Sequence, residues 1–399
     1  MTADFNFPYL PLDSPDFSTR STSVNDAREA NWCARTPYGL AVLRHREAGE
    51  LLRDRRVRQG SHSWPDANGL EGSFADFWKR SVIGKEGAEH QAIRKLAGSA
   101  LSPDFVASLA PEFEAIADGL IAGLLRNCRC EFMADFANPF ASMAICRLLG
   151  IDTADWRRIG EDASALGLAM GVNCRMHQSA FNAACDRLEA LSRRLIEGAV
   201  RSRVGHGNGN EFVTRIVSRA DDFPDIDEQA LVDLVLITIF GGVDTTRSQL
   251  GNAIALFIDH PDQWNRLRRQ PELIPVAIEE VIREHPTTTW VTRQALEDFP
   301  FRGQTIHEGE TLHLLVHATA RDPAVCENPA FDISADRKMH FGFGAGAHHC
   351  LGHRVARTDM ACAISAISRN VSKISSAGWP EWLPDSGNTG PVCLPVKFT

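Results

Sequence analysis

One helical segment dominates this sequence and limits the folds open to it. From about Asp227 to His260, where Pro261 ends it, the chain reads as one helix of about 50 Å, at about 1.5 Å per residue. Leu231–Phe240 is apolar on most sides, which predicts that the helix is buried. A buried helix of this length needs other helices around it, so the segment favours a large, mainly helical domain.

Composition fits a globular protein and excludes several function classes. The 399 residues are 44% hydrophobic, and 42 Lys+Arg against 51 Asp+Glu leave a net charge of −9. This acidic balance argues against a protein that coats nucleic acid or an anionic membrane. The N-terminus lacks the regions of a signal peptide, and the longest apolar stretch, Leu231–Val243, is too short to span a membrane. Ten scattered cysteines without a CxxC pair indicate a reducing, cytoplasmic location.

A small β region follows the long helix. The segments 287–292 and 311–316 are rich in threonine and branched residues, with a turn at 300–304 between them, and predict strands. The fold class is therefore mainly α with a minor β region (α+β), containing small sheets. Residues 1–25 read as an irregular N-terminal arm, and residues 26–399 as a single domain.

The densest chemical signal lies in His340–Arg357, which holds four glycines, four histidines and one cysteine. A dinucleotide loop is one hypothesis, but its GxGxxA motif requires a buried strand before it, and none precedes this one. A second hypothesis is a zinc site, although no second ligand pair is evident. That site would use His348, His349, Cys350 and His353. The third hypothesis is a cysteine thiolate that binds haem iron.

A lone axial cysteine needs glycines that let its loop turn tightly beneath a flat porphyrin, and a helix N-terminus that stabilises the thiolate. The motif Phe343-x-x-Gly346-x-x-x-Cys350-x-Gly352, followed by a helical pattern, provides both. This segment resembles the haem-binding loop of the cytochrome P450 family. The resemblance implies haem b as the cofactor and Cys350 as the metal ligand, with Gly344 also in the cofactor site.

The middle of the long helix reads Gly241-Gly242-Val243-Asp244-Thr245-Thr246 and resembles the family's oxygen-binding kink over the haem. Two glycines and two threonines are poor helix formers, which indicates a functional distortion. Splitting O₂ requires protons delivered to its distal oxygen, so Thr245 and Asp244 are the catalytic candidates, and Gly241 lets the backbone approach the haem. The alternative is a polar patch on an exposed helix.

Glu280 and Arg283 lie three residues apart on one predicted helix face and can form an ion pair. By resemblance they are the family's structural ExxR pair, which supports the cysteine loop. The family usually adds an arginine in the stretch before that loop, where this chain has Ala330. Arg337 is the candidate substitute.

Haem carries two propionates, which require cationic partners. The resemblance assigns this role to four side chains, each of which could instead be an ordinary surface residue. They are His90, Arg94, Arg293 and His348.

The resemblance also implies which segments form the substrate pocket. Phe240 should narrow it above the haem, and the threonines after Pro286 add hydroxyl groups. These expectations point to a mid-sized, mostly apolar organic substrate. The predicted pocket residues are Ile237, Phe240, Gly241, Thr288, Thr289 and Trp290.

The resemblance implies a soluble bacterial monooxygenase of secondary metabolism, which uses O₂ and takes electrons from ferredoxin and ferredoxin reductase. Lys95, Arg354 and Arg357 could form a basic docking patch for ferredoxin or could be ordinary solvated charges. Peroxide-driven oxidation, coupling or rearrangement is an alternative, and so is a haem-binding sensor without turnover. Asp244 and Thr245 disfavour the sensor, since it needs no proton relay.

Overall fold

A computed structural model describes residues 7–126, 128–171, 173–204, 211–385 and 387–399. Helices dominate these residues, as the mainly α prediction requires. The helices are α1 (Thr22–Ala30), α2 (His45–Leu51), α3 (Trp64–Ala67), α4 (Ser73–Arg80), α5 (Gly87–Ala100), α6 (Pro103–Leu124), α7 (Asn138–Leu149), α8 (Trp156–Gly167), α9 (Gln178–Val204), α10 (Phe212–Arg219), α11 (Glu228–Asp259), α12 (Pro261–Arg269), α13 (Ile274–Glu284), α14 (Val316–Ala320) and α15 (His353–Asn370).

Short strands form the minor β component. Five of them build a mixed sheet in the order β1-β2-β8-β5-β3, in which β2 and β8 are parallel and the other neighbours are antiparallel. The strands are β1 (Cys33–Thr36), β2 (Gly39–Val42), β3 (Val57–Gln59), β4 (Arg129–Glu131), β5 (Trp290–Ala295), β6 (Phe299–Phe301), β7 (Gln304–Ile306), β8 (Thr311–Leu315), β9 (Ile374–Ser376), β10 (Glu381–Trp382), β11 (Pro391–Cys393) and β12 (Pro395–Phe398). The two predicted strand segments correspond to β5 and β8.

The long central helix is confirmed as α11. The side chain of Asp227 caps its N-terminus by accepting a 2.8 Å hydrogen bond from the backbone N–H of Ala230. The helix ends at Asp259, before Pro261. Its helical hydrogen bonding continues through the two central glycines, so the expected distortion is not a break in the helix.

Helix α11 forms the centre of the helical body, where it packs against α7, α8 and α9. By length and composition alone it could cross a membrane, and among the described residues it is the one helix of that kind. However, 67% of its most apolar 18-residue window is buried inside the protein. This is what a core helix requires, since its apolar faces are covered by other helices.

The described part of the predicted N-terminal arm is anchored to the rest of the protein. Leu10 and Leu12 are buried in a hydrophobic cluster, and Thr19 hydrogen bonds to the carboxylate of Asp385 through its backbone N–H and its hydroxyl. Helix α1 begins at Thr22, inside the segment predicted to be irregular. The apolar side chains at alternate positions explain this anchoring, because each gains by leaving water.

His313 in β8 should make the stability of the protein depend on pH. Burial lowers the pKa of this imidazole from 6.5 to about 4. Between pH 4 and pH 6.5 this imidazole is protonated in the unfolded chain but neutral in the folded protein. The free energy of unfolding therefore decreases as the pH falls below 6.5. We expect the free energy of unfolding to decrease by about 2 kcal/mol between pH 7 and pH 5 from this residue alone.

Urea unfolding of wild type and H313Q at several pH values measures this contribution. H313Q should lose that part of the pH dependence. H177Q provides the control, since it makes the same substitution at an exposed histidine. Equal slopes for wild type and H313Q would contradict the assignment.

Candidate functional site

Glycines shape the loop that carries Cys350. Gly344 and Gly346 have positive φ angles of 66° and 73°, which side chains rarely adopt. A side chain at Gly346 would also collide with the carbonyl oxygen of Leu52. At Gly342, a Cβ atom would lie 2.5 Å from the side chain of Ile282. The loop can therefore follow this path only with glycine at these positions.

The backbone holds Cys350 at the start of α15. Its N–H donates a 2.9 Å hydrogen bond to the carbonyl of Phe343. Burial raises the pKa of the thiol, while the backbone N–H groups of Gly352 and His353 and the charge of Arg94 act to lower it. The free thiol therefore stays protonated, and a bound metal cation would supply the charge that stabilises the thiolate. This environment fits a metal ligand.

Arg337 completes the Glu280–Arg283 pair, as predicted for it. Arg283 Nε lies 2.6 Å from Glu280 Oε2, and Arg337 Nη2 lies 3.1 Å from Glu280 Oε1. Arg337 also donates to the carbonyl of Ala330, the position where the resemblance places an arginine. The backbone N–H of Asp332 donates to the same carboxylate. Arg337 thus reaches Glu280 from further along the chain.

Arg94 and Arg293 converge on the cysteine loop from two different elements. Arg94 Nη2, on α5, donates a 2.6 Å hydrogen bond to the carbonyl of His349. Arg293 Nη2, on β5, donates to the carbonyl of Ala345 at 3.3 Å. Burial lowers the pKa of Arg293 to about 10, so this cation is poorly compensated and suits an anionic ligand.

The two predicted histidines lie together beside these arginines. The rings of His90 and His348 stack with their centroids 4.0 Å apart. Burial and the neighbouring His348 lower the pKa of His90 to about 4, and its buried Nε2 atom has no partner among the described residues. An unpartnered buried nitrogen is costly, and a haem carboxylate would provide its missing partner. All four predicted propionate ligands thus lie around one loop.

Sequence reasoning missed a carboxylate in this cluster. Glu86 lies 3.0 Å from His348 Nε2 and accepts a hydrogen bond from the backbone N–H of Gln59. Burial opposes ionisation of Glu86, but these two hydrogen bonds outweigh it and lower the carboxyl pKa to about 2. Its position four residues before His90, at the start of α5, was the available signal.

The predicted oxygen-binding segment borders open space. Gly241 is exposed although the helix around it is buried, and no atom lies within 4 Å of the place where its Cβ would be. Gly242 packs against Ile145, which leaves no room for a side chain. The hydroxyl of Thr245 donates to the carbonyl of Gly241. The backbone is therefore accessible to a flat ligand at Gly241.

The neighbouring Thr246 connects this segment to the helix that follows the cysteine loop. Its hydroxyl donates a 3.3 Å hydrogen bond to Asp359 on α15. Asp359 is fully enclosed, and burial raises its carboxyl pKa well above the usual value. Through this contact, α11 and the helix behind Cys350 are held next to each other.

The predicted pocket residues divide into two groups. Ile237 and Phe240 lie buried on α11, where the ring of Phe240 meets that of Trp78 edge to face at 6.2 Å. Thr288 is partly buried. The hydroxyl of Thr289, however, is bonded to the backbone of Gly387 both as donor and as acceptor. It is therefore not free to bind a substrate.

Trp290 lies on the face of β5 that packs against the N-terminal segment. Side chains alternate along a strand, so Trp290 and Arg293 occupy opposite faces of β5. Trp290 packs edge to face against His313, with ring centroids 5.6 Å apart, and joins the cluster that covers the N-terminal segment. Val291 shares its face with Arg293 and packs against a second hydrophobic cluster, which contains Ala345.

Comparison with known proteins gives consistent results. The family model described as "Cytochrome P450" matches residues 171–373. Luteothin monooxygenase from Streptomyces thioluteus is 32% identical, over 98% of this chain and 96% of the relative. Mycinamicin IV hydroxylase/epoxidase from Micromonospora griseorubida is 28% identical, over 91% of each. The crystal structure of CalO2 superposes with a TM-score of 0.86 at 26% identity, covering 97% of this chain and 99% of that one.

Removing Arg337 should take one of its two arginine partners from the buried Glu280 carboxylate, which Arg283 and the N–H of Asp332 still contact. We expect R337A to reduce the free energy of unfolding by about 2 kcal/mol, the typical value of a hydrogen bond to a charged group. Urea unfolding measures it. The matched control is R266A, because Arg266 pairs with Asp332 at 3.4 Å with both side chains about 40% exposed. That control should change stability by less than about 0.5 kcal/mol, and an equal loss in both variants would refute the role of Arg337.

Proposed function

Because this chain belongs to the cytochrome P450 family, and is thus a haem b monooxygenase, we propose that Cys350 is its iron ligand and that its substrate is a mid-sized, mostly apolar secondary metabolite. The observation that carries the first part is the thiol environment. Cys350 lies in a glycine-shaped loop, under the N–H groups that begin α15 and close to Arg94. Of the three ligand hypotheses for this segment, only the thiolate needs all of these features.

The buried cations define how the cofactor would be held. His90, Arg94, Arg293 and His348 would bind the haem propionates, since they surround the loop and Arg293 is a poorly compensated buried charge. When bound, haem supplies the iron at which O₂ is activated so that one oxygen atom enters the substrate. Gly241 would leave the room that the cofactor and O₂ need beside α11.

Thr245 and Asp244 would deliver protons at this position. The Thr245 hydroxyl now donates to the Gly241 carbonyl and can instead donate towards a ligand beside that glycine after rotating about χ1. Asp244 is buried next to it, and its carboxylate can carry a proton once it leaves its present partners. Asp244 and Thr245 would thus form the protein's part of the proton path beside Gly241.

The substrate class follows from the apolar side chains on α11. Ile237 and Phe240 are uncharged. The hydroxyl of Thr289 is bonded to Gly387, so it does not bind a polar group of the substrate. The relatives compared above act, by their names, on luteothin and mycinamicin IV. Luteothin is therefore the first probe, and its binding is measured by the spin-state shift of the haem absorption.

We propose a ferredoxin as the electron donor. Lys95 and Arg354 are exposed; Lys95 follows Arg94 on α5, and the positive charges of Arg94 and Arg354 both act on His349 in the cysteine loop. Arg357 is less available than predicted, because Glu279 binds its guanidinium through two hydrogen bonds of 2.6 and 2.8 Å. A basic surface beside the cysteine suits an acidic iron–sulfur protein.

A cytoplasmic location completes the proposal. All ten cysteines lie within the described residues, and each is free. Free thiols at this number favour a reducing compartment.

The reduced protein with carbon monoxide tests the assignment of Cys350. Wild type should show a strongly red-shifted Soret band, and C350H should lose it while retaining the fold, as judged by far-ultraviolet circular dichroism. C362A is the matched control, since Cys362 is a buried cysteine on α15, the helix that follows Cys350, and it should keep the band. The same spectrum for wild type and C350H would disprove thiolate ligation by this residue.

Charge reversal tests the docking of ferredoxin. We expect K95E/R354E to raise the KM for a plant-type ferredoxin by about tenfold at low salt, with a smaller effect at high salt. Luteothin oxidation driven by hydrogen peroxide should not change, since it bypasses docking. K397E, at an exposed position of β12, should behave as wild type. If peroxide supports faster oxidation than ferredoxin in wild type, the peroxide-driven alternative is favoured.

A further inference from the structure

Asp244 is held on several sides. Its Oδ1 atom accepts a 2.8 Å hydrogen bond from Arg247, one turn along the same helix. Its Oδ2 atom accepts a 3.2 Å hydrogen bond from the side-chain amide of Asn388. A Cβ atom on Gly167, at the end of α8, would lie 3.0 Å from the same carboxylate. Both carboxylate oxygens are therefore occupied, and the acid must lose a partner before it can turn.

Asn388 belongs to a turn that is joined to the predicted substrate wall. Thr288 and Asn388 form a β-bridge, and the hydroxyl of Thr288 lies 3.5 Å from the Asn388 side-chain oxygen. The next residue of the strand, Thr289, donates its N–H to the carbonyl of Gly387 at 2.7 Å. The side-chain oxygen of Asn388 thus contacts Thr288, and its side-chain nitrogen contacts Asp244.

The two partners of Asp244 differ in what they can transmit. Arg247 lies on the same helix and moves with Asp244, so their contact does not depend on whether the pocket is filled. Asn388 lies 144 residues away along the chain, on the turn that is bonded to Thr288 and Thr289. Its hydrogen bond has a neutral donor, which makes it weaker than the charged one from Arg247. It is the contact that would break first.

We propose that Asn388 is a positioning residue, which holds Asp244 against the turn while the pocket is empty and releases it when a substrate presses on Thr288. This inference rests on the proposed function, in which Asp244 carries protons to the oxygen site. It identifies a device that restricts proton delivery to the occupied pocket. The strength of one neutral hydrogen bond corresponds to a change of about three- to tenfold in the population of released Asp244.

The test uses the haem-loaded protein without substrate, and O₂ as the probe. Dithionite-reduced protein is mixed with oxygenated buffer, and the return of the oxidised Soret spectrum gives a rate that needs protons but no redox partner. N388L, which keeps the side-chain size without a donor, should raise this rate by about three- to tenfold. If N388L does not fold, N388A serves with the same expectation.

Two further variants separate positioning from a structural role. In a D244N background, N388L should change the oxidation rate by less than about 1.5-fold. The reason is that D244N has already removed the carboxylate that N388L would release. T389V removes a hydroxyl bond of the same turn, from Thr389 to the carbonyl of Leu383, without touching Asp244, and should match wild type.

An unchanged rate in N388L, or an equal effect of N388L with and without D244N, would overturn the inference. An equal rise of the oxidation rate in T389V would also overturn the inference. Loosening the turn would then be enough to raise the rate, without loss of the bond to Asp244. Failure of the proposed function is distinct, because wild type itself would then lack the carbon monoxide band.

Discussion

The candidate site depends on one buried carboxylate, that of Glu280. It is 1% exposed and pairs with Arg283 on its own helix and with Arg337 from the segment before the cysteine loop. A buried carboxylate without partners would cost several kcal/mol, so helix and segment must stay together in the folded protein. The N–H of Asp332 strengthens this connection. The loop that ends at Cys350 therefore starts from a fixed point.

A second constraint is the pair of buried side chains Arg293 and His90 beside that loop, whose polar atoms the protein alone does not fully satisfy. Among the described residues, the hydrogen-bond acceptors of Arg293 are neutral groups of Gln59, Thr292 and Ala345. His90 is buried with an unpartnered nitrogen. Such groups are unfavourable in an empty protein interior and favourable beside an anion. Satisfying these polar groups would therefore contribute to the binding free energy of an anionic cofactor.

Local signals in the sequence were sufficient for the elements but not for the faces they present. The helical pattern that begins at about Asp227 and the break at Pro261 predicted α11 almost to the residue, because both signals are local to the chain. The strand that contains Trp290 was also predicted, but alternation leaves two choices for the face on which each side chain lies. Asn388 carried no local signal, because its contact with Asp244 arises only from the tertiary fold.

The glycine pair in α11 shows how a conflict between propensity and structure is resolved. Each glycine costs a helix about 1 kcal/mol relative to alanine, and burying one large apolar side chain returns about 1.5–3 kcal/mol. The buried apolar residues of α11 therefore keep it helical through Gly241 and Gly242. Gly242 is needed because Ile145 fills the space of a side chain, and Gly241 because open space lies beside it. The two glycines thus mark the positions at which the helix has no room or no need for a side chain. The helix does not have to bend there.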